Sequence, residues 1–226
     1  MNILAIETTE MRGTLALLTS SGQLYSRLLP EEERSAAVLA REMRSIFTEA
    51  DLIPQDCDAV AVTRGPGSFT GVRVGLATAA TFAFATNSLF FPLDTLAVIA
   101  AGNAQTQALQ MSVAVDAQRG EVMFAEFTRT GPDESFVQAT ERKLCSGDAW
   151  LEPSAEMLYA GPILEKLSIP EGVSSAPEEF WRPAAAVMTA MVTRGDAAAA
   201  SPFEATPIYS RRSAAEEKAE REKGNA

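Results

Sequence analysis

A glycine-rich loop, residues 65–75, constrains the fold of this chain more than any other feature. It follows an apolar run, 59–63, typical of a buried strand, and precedes a helical pattern over 72–86. Glycine permits positive φ angles and close approach of another backbone, and a helix N-terminus attracts anions. The strand–loop–helix order predicts an α/β fold. It leaves two roles for the loop: an anion- or partner-binding turn, or a tight turn in which Thr70 caps the helix.

The loop does not match the known phosphate-binding motifs. No lysine follows Gly71, which excludes a P-loop, and the spacing G-x-G-x-x-x-G is one residue longer than the dinucleotide fingerprint. A second turn, 116–120, either contacts a nucleotide or partner, or only closes a hairpin. The candidate nucleotide or loop contacts are Glu7, Thr8, Gly65, Gly67, Ser68, Thr70, Gly71, Arg73, Asp116 and Arg119.

The sequence contains no histidine and only two cysteines, Cys57 and Cys145. Histidine-dependent catalysis and Cys/His zinc sites are therefore excluded. We expect no metal site and no catalytic residue. Two cysteines without a disulfide framework, and a first strand that begins without a basic leader, predict a cytoplasmic protein.

The net charge is −11, and the segment 211–226 contributes +1 of it, so the remaining body carries −12. An acidic body repels nucleic acid, so we expect contact with RNA only through a partner. The uncharged stretch 74–93 is about as long as a membrane span, but Asn87, Ser88 and Pro92 interrupt it. It is better explained as a buried helix followed by a buried strand.

The order of the predicted elements is β-β-β-α-β-α-β-α, which is that of a ribonuclease-H-like unit. A second, weaker copy begins near residue 111 and thins out after 140. We therefore predict an actin-like ATPase or ribonuclease-H-like α/β fold with two lobes, the second reduced. The predicted domains are a first lobe, 1–105, a smaller second lobe, 106–210, and a charged tail, 211–226. The last segment of the second lobe either returns to the first lobe or stays in the second. The predicted elements of the first lobe are strands 2–6, 13–18, 23–29, 59–63 and 89–91, and helices 31–50, 72–86 and one from residue 94.

Helix 72–86 carries Arg73 as its only charge and has a stripe of small residues at Gly75, Ala79 and Ala83. Such a stripe lets another helix approach closely. Two interpretations stay open: the helix docks a partner together with helix 34–50, or it is buried entirely within the chain. The predicted partner interface consists of Leu39, Met43, Ile46, Phe47, Val72, Gly75, Leu76, Ala79, Phe82 and Ala83.

Four segments together resemble the TsaB (YeaZ) proteins, a glycoprotease-like family of bacterial tRNA threonylcarbamoyladenosine biosynthesis. These segments are 2–9, 65–75, 116–122 and 207–209, and the resemblance is good over residues 1 to about 125 and looser beyond. The resemblance implies an actin-like fold and a non-catalytic subunit that docks the transferase TsaD and works with the ATPase TsaE. It also implies a homodimer when alone, tRNA contact only through the complex, and ATP or ADP only at the complex interface.

Two positions depart from the family pattern, Glu7 in place of the usual Asp and Arg34 where a histidine is common. An alternative class is an ATP-dependent small-molecule kinase of the actin-like superfamily, with Asp116 as base. Against it, the first turn, 7–9, lacks the glycine that would wrap a phosphate. A ribonuclease-H-like nuclease needs clustered carboxylates, but strand 59–63 ends in Thr63-Arg64.

Overall fold

The computed structural model describes residues 1–30 and 36–211, which form two β-sheets, five α-helices and three short 3₁₀ turns. The strands are β1 (Ile3–Glu7), β2 (Thr14–Leu18), β3 (Leu24–Leu28), β4 (Ala59–Thr63), β5 (Leu89–Leu93), β6 (Gln110–Asp116), β7 (Glu121–Thr128), β8 (Val137–Gln138), β9 (Lys143–Ser146), β10 (Met157–Ala160) and β11 (Ser174–Ser175). The helices are α1 (Ala36–Glu49), α2 (Phe69–Thr86), α3 (Thr95–Gly102), α4 (Gly147–Trp150) and α5 (Ala185–Arg194).

The first sheet has the strand order β3-β2-β1-β4-β5. Strands β1 and β4 are parallel and buried along their whole length, as their continuous apolar sequences predict. Alternate residues of each strand face opposite sides of the sheet, and α1 and α2 cover one side. The main core therefore lies between this sheet and the two helices.

The second sheet repeats this topology, with the order β11-β10-β6-β7-β8. If β8 and β9, which both pair with β7, are counted as one strand, each half has the neighbour order 3-2-1-4-5. In both halves strands 1 and 2 are antiparallel and strands 1 and 4 parallel. The second half is reduced, because β8 and β11 contain two residues each. The predicted α/β actin-like fold with two related lobes is thus confirmed.

The last helix of each lobe packs against the sheet of the other lobe. Helix α3 follows the first sheet but packs on the second, where Leu96 and Ile99 contact Met111 and Val113. Helix α5 ends the second half but packs on the first sheet, and Met188 is fully buried there. Because each lobe contributes a helix to the other lobe's core, the interface between them is apolar.

Several predicted boundaries were wrong. Helix α2 begins at Phe69, three residues before the predicted start, because Ser68 rather than Thr70 caps it by accepting a hydrogen bond from the Gly71 N–H (3.3 Å). Strand β5 continues through Pro92, and β9 was not predicted at all. The predicted start of helix 31–50 and almost all of the charged tail lie outside the described residues. No helix in 1–30 and 36–211 has the length and apolar character that crossing a membrane requires.

Candidate functional site

The glycine loop packs against the turn that follows β1. The N–H of Ser68 donates to the carbonyl of Thr9 (2.8 Å), and the hydroxyl of Thr8 donates to the carbonyl of Gly71 (2.7 Å). A Cβ on Gly71 would overlap the Thr8 carbonyl oxygen, and one on Gly67 would lie 2.7 Å from the Cβ of Thr9. These glycines are therefore explained by close approach of the chain's own backbone.

Gly65 is enclosed by a second segment, the C-terminal strap, which we define as residues 200–211. The N–H of Ile208 donates to the carbonyl of Arg64 (2.7 Å), and a Cβ on Gly65 would overlap the carbonyl oxygen of Ile208. The strap also pairs Ala200 with Phe90 on the edge of the first sheet. The glycine loop is therefore enclosed on one side by the turn after β1 and on the other by the C-terminal strap.

Glu7 lies at the end of β1 and is completely buried. Its Oε1 accepts hydrogen bonds from the backbone N–H (2.5 Å) and the hydroxyl (2.6 Å) of Thr9. Its Oε2 has no partner among the described residues, and neither has the hydroxyl of Thr63 on the neighbouring strand. Burial raises the pKa of Glu7 from 4.5 to about 8, although the Thr9 hydrogen bonds lower it. Glu7 is therefore held as a neutral acid near neutral pH.

The other two candidate residues, Asp116 and Arg119, lie in the second lobe, apart from the glycine loop. Asp116 Oδ1 accepts from the N–H of Gln118 (2.6 Å), and its Oδ2 pairs with Lys166 Nζ (2.6 Å). Gln118, Arg119 and Gly120 all have positive φ angles, so the segment is a tight hairpin turn between β6 and β7. This geometry favours the hairpin interpretation over a catalytic base at Asp116.

Asp116 does face the first lobe across a cleft of about 670 Å³. Within residues 1–30 and 36–211, five carboxylates and three basic side chains line this cleft, so their combined field is acidic. The lining residues with charge are Glu10, Arg12, Asp116, Glu165, Lys166, Glu178, Glu179 and Arg182. The cleft lies between the two lobes, but its negative charge would repel the phosphate groups of a nucleotide.

Most residues of the predicted partner interface are buried within this chain, and the inward face of α2 shows why. Gly75, Ala79 and Ala83 are buried against the chain's own sheet, and a Cβ on Gly75 would overlap the Thr8 hydroxyl. The small stripe lets the helix approach the sheet, not a partner. Nine of the ten predicted interface residues are buried within this chain: Leu39, Met43, Ile46, Phe47, Val72, Gly75, Leu76, Ala79 and Ala83.

Three of the predicted residues, Met43, Phe47 and Phe82, line an open groove between α1 and α2, where Met43 and Phe47 are buried and Phe82 is partly exposed. The rings of Phe47 and Phe82 stack with centroids 5.7 Å apart. The groove holds about 740 Å³, and among the residues that the structure describes Arg44 is its only charged lining residue. Its exposed walls include Ala40, Ala77, Thr81 and Ala85. This α1–α2 groove is the apolar surface that the predicted docking helices leave open.

Sequence reasoning missed two basic side chains that contact distant parts of the chain. Arg129 is buried and donates to the carbonyls of Ala104, Thr106, Ala108 and Pro132, which fixes the loops around it. No sequence pattern marks an arginine whose partners are backbone carbonyls. Lys166, which pairs with Asp116, lies 50 residues away in a segment of weak periodicity.

The two tryptophans are packing residues. Trp150 is buried, its ring meets Tyr159 edge to face, and its N–H donates to the Ser112 hydroxyl (2.8 Å). Trp181 is half-buried and donates to the carbonyl of Ala176 (2.7 Å). Neither is an exposed anchor.

Comparison with known families agrees with this geometry. The family model described as TsaD, tRNA N6-adenosine threonylcarbamoyltransferase, matches residues 29–215. The chain belongs to this family. The chain is 33% identical to the tRNA threonylcarbamoyladenosine biosynthesis protein TsaB of Escherichia coli (strain K12) over 131 residues. This aligned stretch covers 57% of this chain and 56% of that protein. The corresponding protein TsaB of Bacillus subtilis (strain 168) is 30% identical over 122 residues, which cover 54% of this chain and 53% of that protein.

The chain spans about half the length of these TsaB relatives. A protein of Mycobacterium tuberculosis (strain H37Rv) named "Uncharacterized protein Rv3421c" is 28% identical over 218 residues, 93% of this chain and 92% of that one. The solved structure titled "YeaZ from Pseudomonas aeruginosa" has a TM-score of 0.74 at 24% identity and covers 92% of this chain and 99% of its own. The resemblance to the TsaB (YeaZ) family is confirmed, and the solved structure shows the same fold.

Proposed function

We propose that this chain is a non-catalytic subunit of tRNA N6-threonylcarbamoyladenosine biosynthesis, which docks a TsaD-like transferase and works with a TsaE-like ATPase. Its place in that biosynthesis is supported by the named TsaB relatives. The absence of histidine from a chain of a transferase family supports the non-catalytic role most strongly. A metal-dependent transferase of this kind needs ligands that this sequence does not supply.

The α1–α2 groove is the proposed docking surface for the transferase. It is apolar, nearly free of charge and formed by two helices that together present a continuous face. An exposed apolar groove with little charge is the kind of surface that protein interaction sites use. We assign the same face to self-association when the partner is absent.

The proposal also places the ATP or ADP of the complex at the partner interface and not in this chain's own cleft. The glycine loop is filled by the chain's own backbone, and the cleft between the lobes is acidic. Both observations disfavour the alternative, an ATP-dependent small-molecule kinase. A cytoplasmic location is part of the same proposal.

Reconstitution tests the proposed role. The transferase, the ATPase and the enzyme that supplies the activated threonylcarbamoyl group are incubated with unmodified tRNA, with and without this chain. We expect modified adenosine only when the chain is present, and none from the chain without the transferase. Full product without the chain, or product from the chain alone, contradicts the proposal.

A further inference from the structure

Buried oxygen atoms without a hydrogen-bond partner gather where three neighbouring parallel strands end. Among the residues that the structure describes, Glu7 Oε2, Thr63 Oγ1 and Thr95 Oγ1 are such atoms, and all three residues are completely buried. Glu7 and Thr63 are the last residues of β1 and β4, and Thr95 follows the end of β5 by two residues. Buried polar atoms in folded proteins almost always have a partner, and the carboxyl ends of parallel strands are where α/β sheets bind ligands.

Glu7 and Thr63 lie side by side on one face of the first sheet. The parallel register of β1 and β4 makes them neighbours, on strands about 4.8 Å apart. Two positions earlier on each strand, Ala5 and Ala61 pack in the same cluster as Met188 of α5. Because side chains alternate along a strand, Glu7 and Thr63 point to this same side. Both unpartnered oxygens therefore lie between the sheet and α5, and they form no hydrogen bond with each other.

The proton of the Glu7 carboxyl group belongs on Oε2. Oε1 already accepts two hydrogen bonds, from the N–H and the hydroxyl of Thr9. Burial raises the pKa of Glu7 to about 8, so the group is protonated near neutral pH. Oε2–H is then a buried donor, and Thr63 Oγ1 beside it is a buried acceptor that it does not reach. Leaving a buried donor unpaired costs about 1–3 kcal/mol, which favours a bridging group between the two oxygens.

The surroundings of these two oxygens suit a very small polar ligand. The start of α5 covers them: the N–H of Ala185 donates to the hydroxyl of Thr14 (2.9 Å), and Thr14 is the register partner of Glu7. The neighbours on the same face are small, since they include Ala5 and Ala61. Small neighbours leave space beside the carboxyl group, and a water molecule needs only about 10–15 Å³ of accessible volume.

We propose that one buried water molecule bridges Glu7 Oε2 and Thr63 Oγ1 beneath the start of α5. The water accepts a hydrogen bond from the neutral acid and donates one to the threonine hydroxyl. Buried waters of this kind join otherwise unpaired polar groups and are costly to remove. The bridge ties together the ends of β1 and β4, from which the turn 8–13 and the glycine loop begin. This site is independent of the proposed function.

A crystal structure of the full chain, grown near neutral pH at a resolution that shows ordered water, tests the site directly. We expect one peak of density about 2.8 Å from both Glu7 Oε2 and Thr63 Oγ1. A direct hydrogen bond between the two side chains, or no density between them, overturns the proposal. A peak with six or more oxygen ligands at about 2.4 Å also overturns it, because that geometry marks a metal cation.

Thermal melting of Thr63→Val near neutral pH gives an independent test in solution. Valine has the shape of threonine and suits a strand at least as well, so replacing an unpaired hydroxyl should raise the melting temperature. If the hydroxyl holds the water, we expect the melting temperature to fall by about 3–6 °C. The control is Thr189→Val, because Thr189 is also buried but donates to the Ala186 carbonyl within its own helix (2.8 Å).

The control should shift the melting temperature by less than about 2 °C. Thr63→Val that melts at or above the wild type overturns the proposal, since the hydroxyl would then have no bound partner. The crystal structure of the wild type decides the question alone if Thr63→Val does not fold.

Discussion

The two faces of helix α2 have similar compositions but different environments. The inward face, Gly75, Ala79 and Ala83, touches the sheet and the turn after β1. The outward face, Ala77, Thr81 and Ala85, is equally small and uncharged but exposed, and forms a wall of the α1–α2 groove. The difference teaches that small residues on a helix have two separate uses, close packing inside the chain and an open surface outside it.

The largest effect that distinguishes these faces is expected from Ala79→Arg. Ala79 is fully buried, so the variant places an unpaired charge and a long side chain into a tightly packed contact. We expect a loss of about 4 kcal/mol or more in the free energy of unfolding, measured by urea denaturation. A variant that melts near the wild type would show that the inward face is not core.

Gly71→Ala tests whether the glycine loop is filled by this chain. The new Cβ would overlap the Thr8 carbonyl oxygen, which is backbone and cannot move freely. We expect a loss of about 3 kcal/mol in the free energy of unfolding. The matched control is Gly102→Ala in α3, where the nearest atom would lie 3.6 Å from the Cβ. That control should be neutral or slightly stabilising, and equal effects of the two changes would argue against the close approach.

Glu7→Gln tests the buried acid beneath the same loop. Between pH 4.5 and about 8 the folded chain retains a proton that the unfolded chain releases, so wild-type stability decreases as pH rises through this window. The amide cannot titrate, so the variant should lack this decrease, a difference of about 4 kcal/mol between pH 5 and pH 9. Thermal melting from pH 5 to pH 9 measures it. Parallel pH profiles for the two proteins would mean that Glu7 is ionised in the fold.

Much of the first lobe could be predicted from the sequence, because its strands are continuous apolar runs and the order of elements is regular. Strand β4 has the predicted bounds. The start of α2 was missed because Ser68 and Thr70 are both good capping residues, and only the path of the loop selects Ser68. The second lobe was harder, since strands of two residues leave no periodicity to detect.

The candidate site was predicted in part. The sequence identified the loop and the two helices, but not which side of α2 faces the sheet. A helix apolar on nearly all sides carries no amphipathic signal, so its orientation depends on the partner surfaces in three dimensions. Likewise, the contact of Arg73 with Tyr209 joins residues 136 positions apart, and no local pattern predicts it.

The smallest effect on stability, and the largest on assembly, is expected from Ala77→Arg on the outward face. Because Ala77 is exposed, the variant should unfold within about 0.5 kcal/mol of the wild type. Its long charged side chain should nevertheless obstruct the groove.

The central claim is that this outward face docks the TsaD-like transferase, and isothermal titration of the transferase into the wild type and Ala77→Arg tests it most directly. Arg142→Gln, a surface variant outside the groove, serves as the matched control. We predict that Ala77→Arg stays folded and binds at least tenfold more weakly, while the control binds as the wild type does. Undiminished binding by folded Ala77→Arg would contradict the account.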